Sequence, residues 1–434
     1  MSFTPADTVF AMLSFEGPDE YSQAGGLGVR AKELVRALAD QGYETHLFFI
    51  GDPALPGEES AVEGRLTYHR WSQWISRSHP MGVYDGEEGK VRDWNHSLPG
   101  YLVDFVVTPA ARAGKRVVVL GEEWHTAWSM NLISDLLFYR GLRHWAVILW
   151  NANNLFGFDR IDWKSLDQAT TLTTVSRYMK HRMWEWSVNP IVIPNGIPRS
   201  AIVDPPPRQV AAVRAAAGAD LLLFKIGRFD PDKRWLMAMT AAGLLKRQGL
   251  RVKLLVRGGK EPHGADVLAH AAMHGLVVAD SPSPRDAAGV SRVLKDNASA
   301  DVVNLVSFLP ESLLGLLYAS ADAVLANSGH EPFGLVGLEV MAAGGLAVTG
   351  STGEDYAEPF RNAIVLETDD PLELVTALRS VHERPELAQS LRRRGRETAP
   401  DFTWERVLEQ LLYRVELAGF RHGAVAAGAK PAPR

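Results

Sequence analysis

The chain contains no cysteine. That excludes a disulfide framework, a thiolate zinc site and a cysteine nucleophile, and it agrees with a cytoplasmic location. Long apolar runs are missing too: nowhere do about 18 apolar residues follow one another, the length a membrane-spanning helix needs. The opening residues MSFTPADTVF hold neither a basic stretch nor an apolar signal core. Charge of one sign is also scarce. A formal net charge of -5 over mixed signs provides no clustered basic face, so nucleic acid is not an expected partner. Disorder is expected only at the end, where 421-RHGAVAAGAKPAPR-434 is small, polar and proline-containing.

A length of 434 residues exceeds what one hydrophobic core usually fills, which predicts two domains. Short β-rich runs recur through the first half: 9-VFAMLSF-15, 45-THLFFIG-51, 117-VVVLGEE-123, 145-WAVILWN-151, 170-TTLTTV-175 and 191-IVIPNG-196. The second half repeats the plan with 221-LLLFKIG-227, 252-VKLLVRG-258, 302-VVNLVSF-308, 321-ADAVLANS-328, 346-LAVTG-350 and 363-AIVLE-367. Most runs are separated by enough chain for a helix, the pattern of βαβ units in a parallel sheet. The prolines of 204-DPPPRQ-209 can continue neither a helix nor a central strand, and they mark the boundary. The fold class is therefore α/β, with two doubly wound Rossmann-like domains over residues 1–203 and 208–400. A helix over 401–420 carries Val407, Leu411, Val415 and Leu417 on its apolar side. Tandem domains of this kind imply a cleft, because ligands bind outside the carboxyl ends of parallel strands.

Four strand-ending loops hold residues suited to chemistry. In 22-SQAGGLGVRAKELVRAL-38, Gly25, Gly26 and Gly28 precede an amphipathic helix, so backbone N–H groups are expected to face an anion. The same glycines, with Asp52 after the next strand, loosely satisfy a dinucleotide fingerprint, although they do not follow their strand directly. In 121-GEEWHTAW-128, His125 stands at a strand's carboxyl end, where either a cleft role or a structural hydrogen bond would suit it. In 226-IGRFDPDKRW-235, a turn at Asp230-Pro231-Asp232 can aim Arg228 and Lys233 at one anion. The Asp-Pro-Asp is read as orienting Lys233 rather than as a metal site.

The fourth loop, 329-GHEPFGLVGLEVMAAG-344, sets Glu331 and Glu339 in an apolar run. A helix starting near Gly334 would offer free N–H groups from about Phe333 to Val336 to an anion. Eight helical residues span about 12 Å and leave their ends about 80° apart, so the two acids could flank a phosphate group. Glu339 lies among Leu338, Val340 and Met341, where an acid without a partner is costly. A ligand or a structural hydrogen bond is expected for it.

Together these residues resemble the retaining GT-B glycosyltransferases, family four, with similarity to bacterial glycogen and starch synthases. Glu331-Pro332-Phe333-Gly334 with Glu339 is similar to the E-x7-E signature of that family, and Gly227-Arg228 with Lys233 to its second signature. Supporting stretches are 174-TVSRYM-179, 193-IPNGI-197 and 310-PESLLGLLYASADAVLANS-328, while Trp124-His125-Thr126-Ala127 is similar to part of the glycogen synthases. The resemblance implies a GT-B fold and metal-free transfer of a hexose, glucose first, from a nucleotide diphosphate sugar with retention. It implies no cofactor beyond that donor, which is expected to be UDP-linked. Arg228 and Lys233 would stabilise the departing diphosphate, with Gly25, Gly26, Gly28, Phe333, Gly334 and Leu335 supplying the surrounding loop and helix start. Glu331 would contact the transferred sugar, Glu339 the ribose, His125 the sugar near its 6-hydroxyl, and Asn304 to Phe308 the base. The terminal helix would cross back to the first domain.

Departures narrow the resemblance. Gln23-Ala24-Gly25-Gly26-Leu27 lacks the lysine of the glycogen synthases, Asn362-Ala363 replaces a usual Asn-Gly, and 254-LLVRGGKEP-262 lacks the common G-x-G. The base therefore stays open among UDP, GDP and ADP. Acceptors of small-molecule, glycan or lipid-linked type all remain. Ten of the twelve tryptophans precede residue 187, and Trp71, Trp74, Trp94, Trp124 and Trp128 are either core or stacking faces for an acceptor. Membrane contact through 180-KHRMWEW-186 is not favoured. The competing readings are an NAD-dependent oxidoreductase using Gly26, Gly28 and Asp52, a non-enzymatic nucleotide-sugar binder, and a phosphorylase or epimerase of the same architecture.

Overall fold

A computed structural model describes residues 3–424. Of the expected terminal disorder, residues 425–434 lie outside the described residues. Arg421 ends a helix, and Ala424 is buried with its carbonyl accepting from Arg116 Nε at 2.8 Å.

The chain forms two compact units, one running to Gly196 and resuming at Trp404, the other spanning Ile197–Thr403. The proline stretch opens a helix, Pro207–Ala217, with Pro207 at its first position. A proline fits there because its missing N–H would be unsatisfied anyway.

The first unit holds β1 (Thr8–Leu13), β2 (Glu44–Ile50), β3 (Glu58–Ala61), β4 (Leu66–Trp71), β5 (Arg116–Glu122), β6 (Ala146–Ala152), β7 (Thr171–Thr174) and β8 (Ile191–Val192). Their order is β3-β4-β2-β1-β5-β6-β7-β8, parallel except for the antiparallel edge strand β3. The helix Gly26–Asp40 presses Leu34, Val35 and Leu38 onto this sheet. The terminal helix Trp404–Arg421 joins the same core through Val407, Leu408, Leu411 and Val415.

The second unit holds β9 (Leu221–Ile226), β10 (Val252–Arg257), β11 (Val278–Ser281), β12 (Val302–Leu305), β13 (Ala323–Ala326), β14 (Ala347–Thr349) and β15 (Ile364–Val365). The order is β11-β12-β10-β9-β13-β14-β15, with every pairing parallel. Strands covered on both faces need apolar side chains at every position, which is why LLLFKI reads as a continuous run. Its one cation, Lys225, is buried and satisfied by Leu325 O at 3.0 Å and Asn327 Oδ1 at 2.6 Å, with its ammonium 4.9 Å from the Trp235 ring centre.

Both sheets are the doubly wound type, and each reverses its strand order once. In the first unit the reversal lies between β1 and β5, and in the second between β9 and β13. Ligands of open parallel sheets bind at the carboxyl ends of those two strands. The four loops singled out in the sequence follow β1, β5, β9 and β13, so each unit brings two of them to its switch point.

Candidate functional site

After β1 the chain enters a loop whose acid decides what the glycines can do. Glu16 is buried, and its Oε2 accepts from the backbone N–H groups of Ala24 at 3.1 Å, Gly25 at 2.9 Å and Gly28 at 3.1 Å. Its Oε1 accepts from the Tyr84 hydroxyl at 2.6 Å. The expectation that Gly25 and Gly28 present open amides is thus corrected: the anion they hold is a carboxylate of the same chain. Asp52 is spent locally, its Oδ1 accepting from Ala54 N at 2.8 Å to close a turn. Neither feature favours the dinucleotide reading.

At the end of β5, Glu122 and Arg30 form a buried ion pair at 3.2 Å. Glu122 Oε2 also accepts from the side-chain amides of Asn151 at 2.9 Å and Asn153 at 2.6 Å, while Arg30 donates to Asn195. The next residue, Glu123, turns the chain into the helix Trp124–Tyr139 at φ 64°, ψ 168°. That region is occupied almost only by glycine and costs about 1–3 kcal/mol for another residue. Burial pushes the Glu123 carboxyl up to about 8, against a hydrogen bond from Asn153 N at 2.6 Å.

The strained turn fixes His125. Its ring lies 4.1 Å from both Phe15 and Trp124, stacked on each, and Nε2 is 2.8 Å from Glu87 Oε1. A carboxylate accepts only, so the proton belongs on Nε2 and Nδ1 becomes an acceptor. Nδ1 is buried without a partner. Burial lowers the imidazole pKa while Glu87 opposes, and the histidine hydrogen bond pulls the Glu87 carboxyl down. Trp94 is fully buried, whereas Trp74 and Trp128 are 66% and 58% exposed. Trp184 and Trp186 in the segment 180–186 are exposed as well. Among the described residues, no helix is long and apolar enough to cross a membrane.

In the second unit, the loop after β9 is locked by its own acids. Asp230 Oδ1 accepts from Asp232 N at 2.9 Å. Asp232 does not hold Lys233; instead its backbone carbonyl accepts from Gly329 N at 2.7 Å and its carboxylate from His330 N at 3.2 Å. Asp232 therefore ties the β9 loop to the β13 loop. Lys233 Nζ is left to pair with Glu331 Oε2, and the Arg228 side chain is exposed.

The β13 loop ends at Gly334, whose φ of 75° suits glycine and caps the helix Leu335–Ala342. The helix start lies beside Glu331. Phe333 is 2% exposed and packs against Tyr356 and Phe402, so its ring belongs to the core. Glu339 meets the Tyr318 hydroxyl at 3.2 Å, and burial pushes its carboxyl up to about 7 against that hydrogen bond. At the end of β12, Asn304 donates to Asp280 Oδ1 at 2.8 Å, whereas Phe308 is 76% exposed.

Three acids escaped the sequence reading. Glu16 and Glu123 act as just described. The third, Glu354, is buried behind Gly334 with Oε2 accepting from Thr352 N at 3.2 Å, while Thr352 Oγ1 accepts from Glu331 N at 2.9 Å. A carboxyl close after a strand and beside glycines was the available signal in each case. Glu123 lies inside the 121-GEEWHTAW-128 loop but was assigned no role, and Glu16 and Glu354 lie outside every motif singled out.

Comparison with known proteins follows the same division. Residues 24–200 match the family described as Glycosyltransferase Family 4, and residues 212–398 match Glycosyl transferases group 1. A D-inositol 3-phosphate glycosyltransferase of Saccharomonospora viridis is 32% identical over 228 residues, covering 50% of this chain and 49% of that protein. In the first of the curated relatives it matches, the chain thus spans about half of their length. A D-inositol 3-phosphate glycosyltransferase of Kineococcus radiotolerans is 26% identical over 425 residues, covering 90% of this chain and 89% of that one. Among solved structures, sucrose-phosphate synthase from Thermosynechococcus elongatus superposes with a TM-score of 0.67 at 19% identity, over 95% of this chain and 99% of the other. Two family matches, one for each doubly wound unit, show a Glycosyltransferase Family 4 amino-terminal part and a Glycosyl transferases group 1 carboxy-terminal part, and the shared architecture shows the GT-B fold.

Proposed function

We propose that the protein transfers a hexose from a nucleotide diphosphate sugar to an acceptor hydroxyl with retention, without a metal. One observation carries the reading: Lys233 and Glu331 are paired at the Gly334 helix start, with Arg228 exposed on the neighbouring loop. A leaving diphosphate needs positive charge and N–H donors; Arg228 and the helix start supply them, with Lys233 sharing its charge between Glu331 and the donor. The bond from the sugar's anomeric carbon to the diphosphate breaks, and the acceptor oxygen bonds to that carbon on the same face. The hydroxyl proton passes to the departing phosphate oxygen.

Glu331 takes hydroxyls of the sugar, and Glu339, mostly shielded and hydrogen-bonded to Tyr318, takes those of the ribose. The exposed ring of Phe308 supports stacking on the base. Nδ1 of His125, an unpartnered acceptor, suits a sugar hydroxyl. UDP-glucose is the first donor to examine. The curated relatives named for D-inositol 3-phosphate support a phosphorylated cyclitol as the first acceptor.

The test measures transfer and slow hydrolysis of UDP-glucose, GDP-mannose and ADP-glucose. Lys233→Ala is expected to lower kcat/KM about 10²–10³-fold, the loss found when a donor to a developing charge is removed. Binding of none of the three sugars, or a Lys233→Ala enzyme within threefold of wild type, would sink the reading.

A further inference from the structure

Glu354 is an anomaly on charge and on hydrogen bonding. It is 5% exposed, and its Oε1 has no partner. Buried polar atoms are almost always satisfied, and an orphan calls for an explanation. The orphan oxygen is not lost in the core. A Cβ built on Gly334 would stand 3.2 Å from it and 2.7 Å from the Glu354 Cγ, and a Cβ on Gly350 would stand 3.7 Å from it. Two residues without side chains therefore leave the buried Oε1 facing the residue that caps the helix Leu335–Ala342.

The rest of the side chain is fixed. Oε2 is held by Thr352 N, and Thr352 both accepts from Glu331 N and donates to Glu331 O at 3.2 Å. The preceding Gly353 backs directly onto the carbonyls of Glu331 and Pro332. One brace thus positions Glu331 and Glu354 together. The charged and titratable groups that bear on Glu354 are Glu331 after β13, Lys233 after β9 and the buried Tyr356 in its own loop.

We propose that Glu354 is a further positioning group of the nucleotide-sugar site. In its neutral form it donates a hydrogen bond from Oε1 to the diphosphate-sugar part of the donor at the start of the helix Leu335–Ala342. This rests on the donor reading given above. A second ionised carboxylate beside Glu331 would repel a diphosphate and could only accept hydrogen bonds; a carboxylic acid adds no charge and supplies a donor. The environment favours that form, since burial and then the neighbouring Glu331 push the carboxyl up to about 8.

Calorimetric binding of UDP-glucose, GDP-mannose and UDP between pH 6.5 and pH 9 tests it, in wild type and in Glu354→Gln. If only the neutral form binds, the wild-type dissociation constant rises about tenfold from pH 7 to pH 9, as the competent fraction falls. Glu354→Gln, which cannot ionise, is expected to stay within about twofold over that range. A slope shared by UDP and UDP-glucose assigns the bond to the phosphate, and a slope seen with the sugar nucleotide alone assigns it to the sugar. Equal slopes in wild type and Glu354→Gln overturn the proposal while leaving donor binding intact. Binding of no nucleotide by wild type overturns the donor reading itself. Difference infrared spectra on wild type keep the test open should the variant fail to fold. Donor addition at pH 7 is expected to shift a protonated-carboxyl stretch, and no shift overturns the proposal.

Discussion

Replacing Arg30 by methionine probes the buried charge network under the β5 turn. The guanidinium Nε lies 3.2 and 3.3 Å from the two Glu122 oxygens, the ion pair is excluded from solvent, and the guanidinium also covers Trp404 at 6.0 Å from the ring centre. Removing one partner of such a pair costs about 3–5 kcal/mol, because the remaining charge stays buried. Glu122 keeps two neutral donors, Asn151 and Asn153, each worth about 1.5–3 kcal/mol to a charged acceptor, which argues for the lower end. A loss of about 3 kcal/mol lowers the melting temperature of a unit of about 150–250 residues by about 6–12 °C. Differential scanning calorimetry reads this directly. Arg30→Met combined with Glu122→Gln removes the stranded charge and is expected to regain at least half the loss. A shift below about 2 °C for the single variant, or a double variant less stable than Arg30→Met, would refute the argument.

Two further outcomes follow from the site. Gly353→Ala drives a Cβ into the carbonyl oxygens of Glu331 and Pro332, and such overpacking costs about 1–3 kcal/mol; a melt unchanged from wild type counts against the packing described. The stability contributed by the buried carboxyls is also expected to fall as pH rises from 6.5 to 8. Glu123 and Glu354 titrate up to about 8 and Glu339 to about 7, so the folded chain holds protons that the unfolded chain has already released. That stabilisation is present below the ordinary carboxyl range and lost as pH passes the folded values. Lys225, Lys90 and the buried His69 and His422, all pushed down by burial, work in the opposite direction, so the carboxyl effect is read as the difference between wild type and Glu354→Gln. A difference in urea unfolding free energy, wild type minus Glu354→Gln, that rises across this window would contradict it.

Much of the fold was legible because parallel strands buried on both faces need long apolar runs, and VFAML, VVVL and LLLF have little else to be. The strands missed were those under weaker constraint. EESA is an exposed edge, VADS has no buried residue until Ser281, and LTYHRW carries His69 and Arg70 inward, where an aromatic stack and the Asp19 ion pair satisfy them. At the candidate site, Lys233 and Glu331 stood out by residue type, whereas their pairing with each other was not legible. Nor was the φ of 64° at Glu123, since positive φ is expected of glycine and a glutamate gives no hint of it. Phe333, inside the most recognisable motif, turns its ring into the core, which its residue type alone does not announce.

The two glycine-led helix starts look alike as sequence, yet they differ in what surrounds their amides. At the first, Glu16 comes back from the end of β1 and fills the nest, so any substrate phosphate would have to compete with a carboxylate already held by three N–H groups. At the second, two acids lie equally near, but neither is placed to fill it. Glu331 is held by Lys233, and Glu354 keeps its proton under burial and the repulsion of Glu331. Arg228 is exposed on the β9 loop, which Asp232 ties to the β13 loop, and the macrodipole of the helix favours an anion at its start. A glycine before a helix thus marks a shape that can hold an anion. Whether the anion comes from outside is decided by the nearest carboxylates, and by whether each is paired, protonated or free to occupy the amides itself.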